Sequence, residues 1–212
     1  MYSKNIINLD IGKDGFLLES GERLPEIQIA YETFGELNQN KNNVIYVCHA
    51  LTGDSHAADL TGSNPGWWDF YIGPGKAIDT DKYHVICSNV LGGCKGTTGS
   101  VSINPKTNKP YGYDFPIISI KDMVNVQKLL LSQLNIPSLY AVIGGSMGGM
   151  QAIQWGISYP DFVKKVIVIA ASLYLFPQAL GFDIIGRECI LSDPNWLNGE
   201  YIHKIFKEAK IS

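Results

Sequence analysis

A glycine-rich hexapeptide with a central serine, Gly144-Gly145-Ser146-Met147-Gly148-Gly149, is the feature that most constrains the fold of this chain. Residues 139–143 before it form a short apolar run, which is typical of a buried parallel strand. After it, Met150, Ile153 and Ile157 recur at helical spacing. The pattern therefore predicts a strand, a tight turn and a helix, with the serine at the turn.

Such a turn holds its serine in a strained backbone conformation above a parallel sheet. Gly144 and Gly148, two residues to either side of Ser146, allow the strand and the helix to pass close together. Free backbone N–H groups and the positive end of the helix dipole then face the serine oxygen. The alternative is a glycine-rich helix cap without chemistry, because Gly-x-Ser-x-Gly also occurs by chance. The flanking strand and helix favour a catalytic serine.

The bulk properties exclude several classes of protein. The 212 residues suit one domain, or one domain and part of another, and the net charge of −3 offers no field for nucleic acid. Neither a signal peptide nor a run of ~20 apolar residues that would span a membrane is visible. The four cysteines form no C-x-x-C pair, and Cys48 and Cys87 sit in apolar strands, where a reduced thiol is expected. We expect a cytoplasmic protein without a metal site.

The order of predicted elements indicates the fold class. Antiparallel pairing is expected at the start, followed by strands that alternate with helices in a mostly parallel, doubly wound α/β sheet. This is the α/β-hydrolase arrangement. The sheet is expected to be incomplete at the carboxyl terminus, with residues 1–172 as its core and residues 173–212 as the start of a helical lid. The predicted elements besides the serine segment are a strand pair over 15–19 and 27–34, strands over 44–48, 83–87 and 163–171, and a helix over 120–134.

Two backbone groups are predicted to stabilise the oxyanion that forms when Ser146 attacks a carbonyl. The first is the N–H of Met147, the residue after the nucleophile. The second should come from the loop after the 44–48 strand, where Leu51 in His49-Ala50-Leu51-Thr52-Gly53 is suitably placed. The alternative for Leu51 is an ordinary apolar loop residue.

A base for Ser146 is not evident in the sequence. In this fold the acid and the histidine follow the serine, and the histidine after it, His203, falls with lysines on the polar face of a predicted helix. His49 and His56 precede the serine, although they can line its pocket. We therefore expect neither the catalytic Asp nor the catalytic His within this chain.

Eight motifs along the chain are distinctive. They are Ile29-Ala30-Tyr31-Glu32-Thr33-Phe34-Gly35, His49-Ala50-Leu51-Thr52-Gly53, Trp67-Trp68-Asp69, Gly73-Pro74-Gly75-Lys76-Ala77-Ile78-Asp79-Thr80, Ser88-Asn89-Val90-Leu91-Gly92-Gly93-Cys94, Gly144-Gly145-Ser146-Met147-Gly148-Gly149-Met150-Gln151, Asp193-Pro194-Asn195-Trp196 and Gly199-Glu200-Tyr201. Through these motifs the chain resembles the homoserine O-acetyltransferase family over nearly its whole length. Together these motifs are far more specific than the serine turn alone. A mild departure is Thr97-Thr98-Gly99-Ser100, where a Ser-Thr-Gly-Pro pattern is usual.

The resemblance implies acetyl transfer from acetyl-CoA to the hydroxyl of L-homoserine through an acetylated Ser146, in methionine biosynthesis. The resemblance implies that the protein binds small-molecule substrates, and that it neither associates with a membrane nor holds a bound cofactor. It also makes a homodimer the assembly to test. Family members are longer than this chain, and their catalytic Asp and His lie past Ser212. A substrate-contacting arginine of the family also falls beyond it, and Arg187 is not an obvious match.

Three alternatives stay open at this point. A succinyl donor in place of acetyl, or serine in place of homoserine, would change only contacts in the pocket. A related esterase would use the same nucleophile. A truncated, inactive fragment that needs a carboxyl-terminal complement would keep Ser146 without its base, and the chain alone is then expected to show no meaningful turnover.

Overall fold

The computed structural model describes residues 2–199 of the chain and has a six-stranded central sheet. The helices are α1 (Ile120–Gln133), α2 (Met147–Ser158) and α3 (Pro177–Leu191), with 3-10 turns at Gly112–Asp114 and Leu197–Gly199. The strands are β1 (Tyr2–Asn8), β2 (Phe16–Leu17), β3 (Arg23–Leu24), β4 (Gln28–Phe34), β5 (Val44–Cys48), β6 (Ile72–Gly73), β7 (Ile78–Asp79), β8 (His84–Ser88), β9 (Ile103–Asn104), β10 (Lys109–Pro110), β11 (Ala141–Gly145) and β12 (Val166–Ile169).

The central sheet has the order β1-β4-β8-β5-β11-β12. Its strands β8, β5, β11 and β12 run parallel to one another, whereas β4 is antiparallel to both β1 and β8. This confirms the predicted α/β-hydrolase fold class, a mostly parallel sheet with antiparallel strands at its start. The strand, turn and helix predicted around Ser146 are confirmed as β11 and α2.

The predicted pairing of residues 15–19 with 27–34 is wrong. Strand β4 pairs instead with β1, in a register that sets Ile29 opposite Ile7, and β2 pairs with β3. Strand β1 is an edge strand that carries mostly polar side chains, and its Ile6 is exposed. It therefore lacks the continuous apolar pattern by which the interior strands are recognised.

Side chains of β5 alternate between two apolar cores, as a strand buried on both faces requires. Tyr46 and Cys48 belong to the core on the side of α1 and α2. Ile45 and Val47 belong to the core on the other side, where the segment after β5 packs through Ala57, Ala58, Ile72 and Ile78. Strand β5 is thus fixed from both sides.

Helix α2 does not face the sheet with Met150, Ile153 and Ile157, the apolar residues from which the helix was predicted. Its buried residues are Gly148, Gly149, Gln151, Ala152 and Trp155. The indole of fully buried Trp155 lies with its centroid 5.8 Å from that of Tyr46 and 6.0 Å from that of Phe162. Small residues therefore bring the first turn of α2 onto the sheet, and Trp155 fills the space behind them.

Of the glycines in the described residues, Gly144 and Gly148, which flank the serine turn, lie closest to neighbouring backbone atoms. A Cβ on Gly148 would collide with the carbonyl oxygen of Cys48, and one on Gly144 would collide with the carbonyl oxygen of Gly148. The end of β5, the end of β11 and the start of α2 therefore meet backbone to backbone. This is the close approach that the sequence predicts.

Strand β12 is the edge of the described sheet, and its four residues are apolar but 40–44% exposed. No helix within residues 2–199 is long and apolar enough to cross a membrane.

We predict that Gly148→Ala destabilises the protein by about 1–3 kcal/mol, because the new methyl group must displace the Cys48 backbone. Gly181→Ala, in α3, is the matched control, since nothing lies within 4 Å of a Cβ at that position. It should raise stability by ~0.5–1 kcal/mol through helix propensity alone. Urea unfolding of both variants measures the difference. A Gly148→Ala protein as stable as Gly181→Ala would contradict the close contact.

Candidate active site

Ser146 occupies the turn between β11 and α2 with a strained backbone, at φ 55° and ψ −125°. Its N–H donates to the carbonyl of Ile169 at 3.0 Å, and its own carbonyl accepts the first hydrogen bond of the helix, from Met150, at 3.1 Å. Strand β12 and helix α2 therefore hold the residue from both sides. Its side chain is left exposed, as a nucleophile requires.

A cleft of about 990 Å³ opens above Ser146. Its floor includes Leu51 and Met147, the other two residues predicted for the site. Its walls are largely apolar and come from α2, from the segment after β12 and from α3: Met150, Ile153, Ile157, Leu173, Tyr174, Leu175, Phe182 and Ile190. The apolar residues that predicted helix α2 thus line the cleft and do not pack on the sheet.

Among the described residues that line this cleft, the charged ones are Asp183 and Arg187. They lie four residues apart on α3, where neighbouring turns bring side chains to one face. Sequence motifs do not select Arg187, which is not an obvious match to the substrate-contacting arginine of the family. Only its place on the cleft marks it as a candidate for binding an anionic group.

The N–H groups of Met147 and Leu51 donate to no acceptor within residues 2–199. Met147 is the first residue of α2, so its N–H has no partner in the helix. Leu51 lies in the turn after β5, with its side chain 77% exposed. Both residues border the cleft together with Ser146, as an oxyanion hole requires. Their catalytic role stays a prediction.

His49 does not line the cleft, contrary to expectation, because its ring is buried. Its Nε2 accepts a hydrogen bond from the N–H of Val90 at 3.0 Å, so the ring proton resides on Nδ1 and is donated to the carbonyl of Ala50 at 2.7 Å. Burial lowers the pKa of His49, despite the hydrogen bond to Ala50. The ring is therefore neutral, and both nitrogens are engaged by the backbone.

His56 also does not line the cleft. Its Nδ1 lies 2.8 Å from the carboxylate of buried Glu32, and its Nε2 lies 2.7 Å from the carbonyl of Asn64. Partial burial opposes a charge on the ring, but hydrogen bonds to Asn64 and Glu32 outweigh it and raise the pKa of His56. Together with the Ser55 hydroxyl, which donates to Glu32, this pair fastens the loop after β5 to strand β4.

His84 lies at the amino-terminal end of the parallel strands, whereas Ser146 lies at their carboxyl-terminal end. His84 begins β8 beside Val44, the first residue of β5, and Ser146 follows the last residue of β11. Within residues 2–199, therefore, no histidine is available as a base for Ser146. His203, which the sequence assigns to a solvated helix face, lies outside the described residues. In the same range no three His, Cys, Asp or Glu side chains converge as metal ligands.

Comparison with known families agrees with the fold. Residues 43–210 match the family described as alpha/beta hydrolase fold. This range begins just before β5 and includes the serine turn, α3 and the residues that line the cleft.

Individual relatives give a narrower likeness. The chain is 60% identical over 188 residues to a homoserine O-acetyltransferase of Methanosalsum zhilinae, which covers 88% of this chain and 38% of that protein. The crystal structure of a homoserine O-acetyltransferase from Bacillus anthracis superposes with a TM-score of 0.86 at 37% identity, and that of esterase E22 with 0.81 at 42%. These cover 95% and 94% of this chain and 55% of each structure. The chain thus spans about two fifths of that curated relative and about half of the solved structures.

We predict that Ser146→Gly is about 1 kcal/mol more stable than Ser146→Ala, because glycine relieves the positive φ and alanine retains it. Ser132, near the end of α1, provides a control in which the order reverses, since alanine is the better helix former there. Thermal or urea unfolding of the four variants measures both differences. Equal stability of the two Ser146 variants would show that the turn stores no strain.

Proposed function

The chain belongs to the alpha/beta hydrolase fold family, and we propose that the whole protein is a homoserine O-acetyltransferase that works through an acetylated Ser146. The likeness to the homoserine O-acetyltransferase of Methanosalsum zhilinae supports this narrower function. The observation that carries the proposal is the exposed, strained Ser146, which shares a cleft with the unpaired N–H groups of Leu51 and Met147. A nucleophile beside two preorganised donors is the arrangement for acyl transfer.

In the proposed reaction, the Ser146 hydroxyl oxygen attacks the thioester carbonyl of acetyl-CoA. The Leu51 and Met147 N–H groups stabilise the resulting oxyanion, and collapse of this intermediate breaks the C–S bond and releases coenzyme A as the thiol. The hydroxyl of L-homoserine then attacks the acetyl-serine ester and regenerates Ser146. Acetyl-CoA is a substrate in this scheme, and no bound cofactor or metal takes part.

The charges of the cleft support an amino acid as the acceptor. Arg187 and Asp183 offer opposite charges to the carboxylate and the ammonium group of a zwitterion. Arg187 pairs at 3.6 Å with exposed Glu188, a surface contact that a ligand carboxylate can replace at small cost.

We place the general base and its acid partner outside residues 2–199, because the described histidines are engaged or remote. In this proposal a lid over Ser146 begins at residue 173, which the cleft contacts of Leu173, Tyr174 and Phe182 support. Of the predicted lid, 173–212, residues 200–212 lie outside the described residues. The exposed apolar strand β12 supports further packing in the whole protein, since such a strand is usually buried on both faces. The free thiols of Cys48 and Cys87 fit a reducing, cytoplasmic compartment. The proposed reaction itself implies a place in methionine biosynthesis.

Hydrolysis is the competing outcome, because water can attack the same acetyl-serine. The 60% identity to the homoserine O-acetyltransferase of Methanosalsum zhilinae favours transfer. The two solved structures do not separate the outcomes, since esterase E22 is 42% identical and the Bacillus anthracis acetyltransferase 37%.

We predict that the whole protein, mixed with acetyl-CoA and no acceptor, accumulates an acetyl group on Ser146. Intact-mass and peptide mass spectrometry locate the group, which should be absent from Ser146→Ala and present in the remote control Ser132→Ala. L-homoserine should remove the acetyl group from Ser146. Double-reciprocal plots of initial rate against one substrate, at several concentrations of the other, should be parallel, because coenzyme A leaves before the acceptor reacts.

Acetyl trapped on another residue would overturn the role of Ser146. Intersecting initial-rate plots would indicate direct transfer within a ternary complex. Discharge by water as fast as by L-homoserine would identify an esterase.

A further inference from the structure

A buried chain of side-chain hydrogen bonds runs from the core to the serine turn. The indole N–H of Trp155 donates to Oε1 of Gln127 at 2.8 Å, and Nε2 of Gln127 donates to Oε1 of Gln151 at 2.7 Å. Nε2 of Gln151 then donates to the carbonyls of His49 at 3.1 Å and Met147 at 3.3 Å. All three side chains are at most 1% exposed.

The direction of this chain is fixed by its first member. An indole N–H can only donate, so Gln127 must present its oxygen to Trp155 and its amide nitrogen to Gln151. Gln151 in turn must present its own oxygen to Gln127 and its nitrogen to the backbone. The amide of Gln151 is therefore held in the one orientation in which both of its N–H bonds reach carbonyl oxygens.

Those two carbonyls belong to the two segments that carry the candidate oxyanion donors. Met147 supplies its own N–H, and the His49 carbonyl lies in the peptide just before the Ala50–Leu51 peptide. The carbonyl of Ala50 in that second peptide accepts hydrogen bonds from the His49 ring and from the N–H of Gly53. Because a trans peptide directs its N–H away from its carbonyl, these bonds also fix the direction of the Leu51 N–H.

We infer that Gln151 is a positioning residue that sets the separation of the Leu51 and Met147 N–H groups, with Gln127 and Trp155 holding its amide in place. The inference rests on the proposed function, since it concerns the oxyanion hole of that reaction. An apolar side chain would fill the same volume of core without bridging the two segments. A buried amide is costly unless each of its groups is paired, and here the amide nitrogen of Gln151 is paired with these two segments.

The test is Gln151→Met in the whole protein, because methionine keeps the length of the side chain but cannot donate. A displacement of about 1 Å at a catalytic group costs on the order of 100-fold, so kcat should fall by about that factor. KM for both substrates should stay within about twofold, since ground-state contacts do not use the hole. The affinity of an alkyl boronic acid, which forms a tetrahedral adduct on Ser146, should fall in parallel with kcat.

Two further variants keep the result interpretable. Trp155→Phe removes the indole N–H that orients the amides, together with part of the buried ring. It should lower kcat by about 10-fold with the same split from KM, so it carries the test if Gln151→Met does not fold. Gln133→Met is the matched control, because the Gln133 amide also bonds backbone atoms, of Asn8 and Asp10, but at an exposed and remote place on α1. It should change neither kcat nor boronic acid affinity.

Folded Gln151→Met with unchanged kcat, or with a lower kcat but undiminished boronic acid affinity, would overturn the positioning role. Ser146→Ala separates this failure from failure of the proposed function. If Ser146→Ala is inactive and Gln151→Met fully active, the inference alone is wrong. Activity retained by Ser146→Ala would overturn both.

Discussion

The structure around Ser146 depends on the backbone contact between the start of α2 and the end of β5. Gly148 lies so close to the Cys48 carbonyl that no side chain fits between them. This contact brings the loop that contains Leu51 beside the first turn of the helix, where the Met147 N–H is unpaired. A strained serine is tolerated there because β12 and α2 fix its N–H and carbonyl. The site is therefore built mainly from backbone held rigid by packing.

Much of this fold could be predicted from the sequence, because its interior strands are continuous apolar runs and its serine turn has a specific glycine pattern. Strand β5, strand β8 and the turn at Ser146 all appear where those patterns predict them. Strand β1 could not be found this way, since an edge strand needs no apolar run and its pairing with β4 is a long-range contact. The hairpin predicted between residues 15–19 and 27–34 is supported only by the short connection between the two segments.

The candidate site was predictable in its backbone and less so in its side chains. Glycine spacing indicates Ser146 and Met147, and position in a loop indicates Leu51. Helical periodicity cannot tell which face of α2 meets the sheet, because Met150 and Trp155 are both apolar enough to be buried. The role inferred for Gln151 depends on partners 24 and 102 residues away in sequence, Gln127 and His49, which only the folded structure brings together.

The central claim is that the packing of α2 on β5 builds an oxyanion hole at Ser146. A crystal structure of the whole protein with an alkyl boronic acid bonded to Ser146 tests it most directly. One boronate oxygen should lie roughly 2.7–3.1 Å from the backbone nitrogens of both Leu51 and Met147. An adduct whose oxygens face solvent, or reach only one of the two nitrogens, would contradict the account.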